Sequence, residues 1–577
     1  MAESWGLREP LRCYAGVFLA AAIVAHPVSA QLNYVDSSAG LETPRMEGGR
    51  TELEIGDVNG DGHVDIVSIG DHGSPHINSP QHGVMVWFGD GAGSWSVFQD
   101  GNFGYGGVAL GDVNGDGLID VGYGMHHNYS GNDFGDQILE VALGDGTGRD
   151  WTPWDDGLAS NGEDWGMFAT DFADVDNDGD LDVGSISFGC CAGLHVYLNN
   201  GDGTWTQSWG FLGGNSSMTF DFADVNSDGF VDFACSHGSG TVYLGDGEGG
   251  FALGDGNLPL PTLRRGTSLG DVNDDGRDDL AFVTGNRGLA VWSWRAPNTW
   301  VDLSGSLPAS GSFDLTQIAD MNKDGHGDVV AFRDDAILVY AGDGAGHWEQ
   351  VASVPTRPNT CDYSAMRVGG DVDHNGYPDF AVVAEEDCRP LVGGTNRPRL
   401  YREDSRPRKL EVYPVKPRGG ETIVAGSVQF LDWTAAVPSA PQKAGIVRIE
   451  LSLFGPYGPW NTIAKDISNN GRFQWRLPKR LPDSDTCYLR YTLIAKGESA
   501  RAVTPQPFTV VSPRGPRFAD FDGNGRVDMV DVWRFQQCFT GPGGGPIGPE
   551  CNAGDHDGDG DIDLTDYAEF HEVFTGP

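Results

Sequence analysis

The chain has 577 residues, with 83 Asp and Glu against 37 Lys and Arg, for a formal net charge of −46. That balance excludes a nucleic-acid binder that works by neutralising phosphates, and it argues against docking on anionic membranes. The 86 Gly and 32 Pro mark a turn-rich, mainly β chain, and 10% aromatic residues are too many for a disordered acidic tail.

At the start of the chain, Arg8 and Arg12 precede an apolar stretch from Tyr14 to Val24, and Val28-Ser29-Ala30 places small residues at a cleavage position. This is the layout of a secretory signal peptide, and the stretch is short for a membrane span. Residues 1–30 are therefore predicted to be an export signal, with the rest of the chain secreted to the extracellular space or the cell surface. No later apolar run reaches membrane length, so no transmembrane segment is expected. Among the remaining cysteines, Cys361 with Cys388 and Cys538 with Cys551 are short-range pairs able to close loops. Cys190, Cys191, Cys235 and Cys487 have no partner assignable from the sequence.

From residue 31 to 405 one pattern returns seven times. GDVNGDGHVDI at Gly56–Ile66 recurs as GDVNGDGLIDV, ADVDNDGDLDV, ADVNSDGFVDF, GDVNDDGRDDL, ADMNKDGHGDV and GDVDHNGYPDF, at intervals of 55, 62, 50, 47, 49 and 51 residues. Most copies are followed by a GDG-type turn before an aromatic residue, as in Asp90 to Trp95, Asp145 to Trp151, Asp202 to Trp205, Asp246 to Phe251 and Asp343 to Trp348. Each unit reads as strand, acidic loop, strand, connection, strand, Gly-rich turn, strand. Four short strands per fifty residues, repeated seven times, predict a seven-bladed β-propeller, with the aromatic after each turn in the core between blades.

The acidic loop follows D-x-[DN]-x-[DN]-G-x-x-D. Positions 1, 3, 5 and 9 are Asp57, Asn59, Asp61 and Asp65 in the first loop and Asp112, Asn114, Asp116 and Asp120 in the second. They are Asp174, Asp176, Asp178 and Asp182, then Asp224, Asn226, Asp228 and Asp232, then Asp271, Asn273, Asp275 and Asp279. The last two loops carry Asp320, Asn322, Asp324 and Asp328, and Asp371, Asp373, Asn375 and Asp379. Ca²⁺ takes six to eight oxygens at about 2.3–2.6 Å, and a Gly at position 6 permits the sharp bend such a loop needs. Position 7 is His63, Leu118, Asp180, Phe230, Arg277, His326 and Tyr377. This indifference to side chain is what a backbone carbonyl ligand would produce. Magnesium prefers to keep several waters and soft metals want Cys or His, so calcium is the expected cation. The alternative is a set of Asx-rich turns without metal.

On these loops, residues from about 50 to 400 resemble the FG-GAP or VCBS repeat family, whose calcium-loop propellers include the integrin α-subunit head. The resemblance implies the propeller and its calcium sites. Propellers of this kind serve adhesion, lectins and some polysaccharide lyases.

The first two units carry about eleven extra residues between acidic loop and GDG turn, relative to the fourth and sixth. If the acidic loop joins strands one and two, these insertions emerge on the opposite face. They contain Asp71, His72, His76 and His82, then His126, His127, Tyr129, Asp133, Phe134 and Asp136. They read as solvated loops, as a sugar- or protein-binding surface with Tyr129, Phe134 and Trp165 as stacking anchors, or as an active site with a His base or a zinc pair. No recognisable catalytic set stands out, so an enzyme is not the leading reading.

From 406 to 513 the charge reverses, with 15 Lys and Arg against 8 Asp and Glu. Val447, Ile449, Leu451 and Leu453 alternate with Arg448, Glu450 and Ser452; Phe473, Trp475 and Leu477, then Cys487, Leu489, Tyr491 and Leu493, alternate likewise. Period-two strands over about 100 residues predict a small Ig-like β-sandwich that acts as a spacer. Its basic surface would grip an anionic polymer or lie against the acidic repeats.

Residues 514–577 hold two different acidic loops. Asp520, Asp522, Asn524, Arg526, Asp528 and Asp531 stand at positions 1, 3, 5, 7, 9 and 12; Asp555, Asp557, Asp559, Asp561, Asp563 and Asp566 repeat the spacing. Position 12 brings a last carboxylate back, as in an EF-hand. Each loop runs into an amphipathic stretch, Val532, Phe535 and Phe539, then Tyr567, Phe570 and Phe574. This tail resembles a type I dockerin, which implies two more calcium sites, about nine in all, and attachment to a cohesin-bearing scaffold. The residues at positions 10 and 11, Met529-Val530 and Leu564-Thr565, differ from each other and from the usual hydroxyl pair. The leading reading is a secreted calcium-binding protein that recognises a glycan or cell-surface ligand. The alternatives are a dockerin-bearing polysaccharide-degrading enzyme and a structural surface component.

Overall fold

The structure, a computed structural model, describes residues 31–41, 52–70, 83–101, 103–104, 106–125, 138–163, 166–187, 193–259, 265–296, 298–356, 364–385, 396–438 and 444–512. Of the C-terminal segment it describes 519, 521, 527, 529–544, 547, 551, 554 and 561–573. The expected export signal and the pair Cys361 and Cys388 lie outside these residues.

Each repeat forms a four-stranded antiparallel sheet. The first sheet is Leu53–Gly56, Asp65–Ile69, Val84–Gly89 and Trp95–Asp100; the second is Val108–Gly111, Asp120–Gly124, Leu139–Gly144 and Trp151–Pro153. The third is Met167–Ala173, Asp182–Ser187, Leu194–Asn199 and Trp205–Phe211; the fourth is Ser216–Ala223, Asp232–His237, Gly240–Gly245 and Phe251–Leu253. The fifth is Arg265–Gly270, Asp279–Val283, Leu289–Arg295 and Thr299–Asp302; the sixth is Phe313–Ala319, Asp328–Arg333, Ala336–Gly342 and Trp348–Pro355. The seventh takes Ser364–Val368, Phe380–Glu385 and Asn396–Glu403 from the last repeat and its outer strand, Tyr34–Asp36, from ahead of the first repeat. Tyr34 stands opposite Glu403 and Asp36 opposite Tyr401.

First strands of neighbouring sheets touch all the way round, and Leu53–Gly56 meets Ser364–Val368 to close the circuit. Polar side chains clamp the ring from inside. Glu52 accepts from the amides of Val108 and Thr170 (3.1 and 3.0 Å), Asp171 from Phe222 (3.0 Å) and Asp221 from Leu269 (2.8 Å). Thr316 donates to the Gly266 carbonyl (2.5 Å), Gln317 accepts from the Val368 amide (2.5 Å), and Arg367 pairs with Glu54 at 3.1 Å. Each clamp holds one sheet to another, so closure is written into side chains as well as packing.

Middle strands are buried on both faces, as in Asp65–Ile69 and Leu289–Arg295, and read as near-continuous apolar runs for that reason. Outer strands alternate, as in Trp205–Phe211. The aromatic after the Gly-rich turn is buried in Trp95, Trp151, Trp205 and Trp348. Three of these indoles donate to the backbone of the preceding sheet or its flank, at Ser37, Trp154 and Leu303, each at 2.8 Å. Trp300, which follows no GDG turn, donates to the Gly254 carbonyl at 2.9 Å in the same way.

Beyond Glu403, two sheets pack face to face. Glu411–Lys416, Val428–Ala436 and Arg472–Arg476 form one. Thr422–Val424, Phe508–Val511, Ser484–Ala495, Ile446–Ser452 and Asn461–Ser468 form the other, with Glu498–Val503 paired to Ser484–Ala495. Their shared core holds Trp433, Trp475, Tyr491, Leu451 and Phe508. Ser452, expected on the polar face, is buried, because its hydroxyl bonds the Gly455 carbonyl at 2.8 Å where the strand turns. At the C-terminus the helices Met529–Cys538 and Leu564–Val573 meet through Phe535 and Phe570, whose rings are 4.7 Å apart. Cys538 and Cys551 form a disulfide, and Cys235 and Cys487 are buried thiols.

Candidate functional site

All seven acidic loops join strands one and two of their sheets, so they gather on one face of the ring. Their local geometry repeats. The position-6 glycines have φ of +80° to +102°, a region that side chains disfavour. The amide of each donates to Oδ2 of the position-1 aspartate at 2.8–3.1 Å. The position-7 amide donates to the side-chain oxygen of position 5 at 2.7–3.1 Å in all seven. Position 9 is the most deeply set. Asp65, Asp120, Asp182, Asp232, Asp279, Asp328 and Asp379 are each 0% exposed. One oxygen of each takes the position-2 amide at 2.8–3.1 Å. In six of them the other takes an amide from the end of the third strand, such as Gly89 on Asp65 or Gly342 on Asp328, both at 3.0 Å. The ninth residue therefore ties its loop to its sheet as well as facing the turn.

These bonds leave oxygen capacity unspent, since each carboxylate oxygen accepts twice. Single ligand atoms of Asp174, Asp176 and Asp182 lie within 4.8 Å of one another, as do those of Asp371, Asp373 and Asp379, and of Asp561, Asp563 and Asp566. Asp174 Oδ1 is buried without a partner. Burial, then neighbouring loop carboxylates, push Asp65 and Asp224 up to about 8. Asp371 rises to about 8 and Asp174 to about 7, again chiefly through burial and in part through the loop's own aspartates. Such loops resist carrying all their charge without a counter-ion. The donor set is all oxygen at positions 1, 3, 5 and 9, which fits a hard divalent cation.

The sandwich covers this face, and every loop meets it. Gln474 exchanges hydrogen bonds with the Asp112 amide and carbonyl (2.9 and 2.8 Å), and Ser227 donates to the Gly420 carbonyl (3.1 Å). Lys416 pairs with Asp278 at 2.8 Å and Arg418 with Asp274 at 3.1 Å; Arg476 reaches Asp180 at 2.5 Å. The first, third, sixth and seventh loops receive donors from Asn470, Val428, Tyr413 and Ala435. Between ring and sandwich lies a cavity of about 380 Å³, lined by Arg367 and Asp221 from the ring and by Lys416, Glu421, Phe430 and Arg472 from the sandwich.

Position 4 was given no role from the sequence. Gly60, Gly115, Asn177, Ser227, Asp274, Lys323 and His374 occupy it, all with φ between +55° and +75°. Several meet the sandwich: Ser227 and Asp274 as above, and His374 through its carbonyl, which accepts the Val437 amide at 2.8 Å. The only signal in the sequence was variation at a fixed turn position.

The ligand-face candidates His72, His76, His126, His127, Tyr129, Phe134 and Trp165 lie outside the described residues. So do Asp520, Asp522, Asn524, Arg526 and Asp528, and Asp555, Asp557 and Asp559. The stems of the two insertions are described: the Gly70 amide bonds the Gly83 carbonyl (2.8 Å) and the Met125 amide the Ile138 carbonyl (2.9 Å). Both stand at the sheet ends opposite the acidic loops. Position 12 of the tail is described: Asp531 and Asp566 are buried at the starts of the two helices. Met529, Val530, Trp533 and Leu564 are exposed beside them. Sequence reasoning also missed the far tip of the sandwich, where Phe454 is 69% and Tyr457 95% exposed on a turn pinned by the Gly455 amide to the Thr486 carbonyl (2.9 Å).

Stretches 57–123, 186–235 and 320–382 match the FG-GAP-like repeat. No curated protein matches the chain. Among solved structures, a lectin from Agrocybe aegerita, described as recognising non-reducing terminal N-acetylglucosamine, is 19% identical with a TM-score of 0.36, over 53% of this chain and 81% of the lectin. The Tc holotoxin pore of Photorhabdus luminescens is 14% identical with a TM-score of 0.31, over 75% of this chain and 23% of the toxin chain. Nothing about ligands follows from likeness at that level. Among the described residues no helix is long and apolar enough to cross a membrane. The repeats and the sheets they form make this a propeller-like protein with FG-GAP-like repeats.

Proposed function

We propose that the protein is a secreted, calcium-loaded seven-bladed β-propeller that recognises a glycan or another cell-surface ligand. Residues 406–513 serve as an Ig-like base and residues 514–577 as a dockerin-like anchor for a cohesin-bearing scaffold. The observation that carries this reading is the difference between the two faces of the ring. The acidic loops occupy one face and are covered by the basic sandwich, which leaves the other face, with the stems at Gly70 and Met125, for a ligand. Loops raised on one face of a rigid scaffold are the usual place for binding. Calcium is favoured by loops that offer carboxylate and amide oxygens, with no Cys or His at positions 1, 3, 5 and 9. The anchor reading is supported by exposed apolar side chains at the starts of both C-terminal helices, a patch suited to a protein partner.

The test is size-exclusion chromatography of the full chain with intact acidic and neutral polysaccharides in millimolar calcium. Co-elution with a polymer of unchanged length is the expected result. A polymer that shortens would replace recognition with cleavage, and no interaction with any polymer would remove the glycan in favour of a protein ligand.

A further inference from the structure

On four acidic loops the sandwich reaches the position-1 carboxylate itself. Asn470 Nδ2 donates to Asp57 at 3.3 Å and the Val428 amide to Asp174 at 2.8 Å. The Tyr413 hydroxyl donates to Asp320 at 2.8 Å and the Ala435 amide to Asp371 at 3.3 Å. In every case the acceptor is Oδ2, the oxygen that already holds the position-6 amide of its own loop. Both lone pairs of Oδ2 are then in use, and the remaining capacity lies on Oδ1. In the third loop Oδ1 has no partner at all, although Asp174 is 1% exposed.

We infer that these four sandwich groups are positioning residues of the cation sites. They fix the plane of the first carboxylate from outside, so that cation loading and sandwich docking strengthen each other. The inference rests on the calcium reading of the loops. Hydrogen bonds of this outer kind hold a ligand's orientation, and their loss typically costs 10–100-fold in metal affinity. By linkage, the cation must favour the docked sandwich by the same factor that the docked sandwich favours the cation.

The basic residues of the sandwich do not compete for the ligand carboxylates in the fifth loop. Lys416 and Arg418 take Asp278 and Asp274, at positions 8 and 4. No other loop has an acidic residue at either of those positions. The sandwich leaves positions 1, 3, 5 and 9 alone and takes the spare charges; at position 5 the ring's own Arg277 and Arg295 reach Asp275 Oδ2 at 3.0 and 3.2 Å. Because only one loop offers this pair, it also selects one of seven rotational settings on a near-symmetric ring. Arg418 then donates to the Tyr413 hydroxyl at 2.7 Å, which carries the contact on to Asp320 in the next sheet.

The test uses the full chain and two sandwich substitutions that face different acidic loops, Tyr413→Phe (Asp320) and Asn470→Ala (Asp57), with Tyr457→Ala at the far tip of the sandwich as control. Strand content is checked by far-ultraviolet circular dichroism, calcium number and affinity by isothermal titration, and docking by small-angle X-ray scattering with and without chelator. Each interface variant is expected to weaken one site by tenfold or more, read as one fewer tightly bound cation, while the control matches the parent. Chelation of the parent is expected to raise the radius of gyration as the sandwich leaves the ring. Parent-like number and affinity in both interface variants, or a radius unchanged by chelation, would overturn the inference and leave the calcium reading standing. A parent that binds no calcium would remove the calcium reading itself.

Discussion

At position 6 of the acidic loops one methyl group in place of a hydrogen separates alanine from glycine, and its effect depends on what lies opposite. Gly62 and Gly276 both sit in the left-handed region, at φ +89° and +80°. A Cβ on Gly62 would find its nearest neighbour, Ser468, at 3.7 Å, whereas on Gly276 it would fall 2.2 Å from the Gly420 backbone. Gly62→Ala is therefore expected to cost about 1–2 kcal/mol, the conformational term alone. Gly276→Ala is expected to cost clearly more and to shift the sandwich; urea denaturation of the two variants side by side checks the difference. Position 9 makes a separate prediction. Asp328 holds the amides of Met321 and Gly342 in a site with no exposure. Asp328→Ala strands two buried donors, at about 1–3 kcal/mol each, and the loss is expected to persist in excess chelator. A variant as stable as the parent under chelation would show that this carboxylate serves only a cation.

At the scale of elements, the sheets are held to one another by repeated single bonds. Trp348 Nε1 donates to the Leu303 carbonyl of the preceding sheet at 2.8 Å. Trp348→Phe keeps most of the ring and removes the donor, so denaturation is expected to show a loss of about 1–2 kcal/mol. Much of this scale was legible in the sequence. The acidic loops and the GDG turns are local patterns, and a local pattern fixes local geometry: loop between strands one and two, turn between strands three and four. Trp300 was missed because its turn, Asn298-Thr299 before the indole, lacks the glycines that announced the others. Tyr34–Asp36 was missed because three residues offer no periodicity, and because a strand that closes a ring is defined by a partner more than 360 residues away. The sandwich's alternating apolar strands were readable, and Ser452 departs from the pattern only where its strand turns. Position 4 was unreadable for a different reason. Gly, Gly, Asn, Ser, Asp, Lys and His at one turn position look like drift on a surface until the surface is found to be covered.

At the scale of the molecule, composition foretold the problem and the fold shows where it lies. Of the 83 acidic residues, 25 stand in the seven loops that share one face, and the sandwich sets Lys416, Arg418 and Arg476 against them. Those three pairs are partly exposed, and such pairs contribute modestly, about 0.2–1 kcal/mol each, and less in high salt. The double variant Lys416→Ala with Arg418→Ala is thus expected to leave the ring folded while loosening the sandwich, seen as a larger radius of gyration at unchanged strand content. On the proposed reading, cations would carry the rest of the compensation, on the carboxylates that the sandwich leaves. The most direct test is the melting temperature of the full chain in millimolar calcium, in excess EDTA, and in EDTA followed by restored calcium. Each site held at 100 times its Kd adds about 2.7 kcal/mol to stability, so the account expects a large, reversible fall on chelation. A melting temperature that is the same in all three conditions would contradict it.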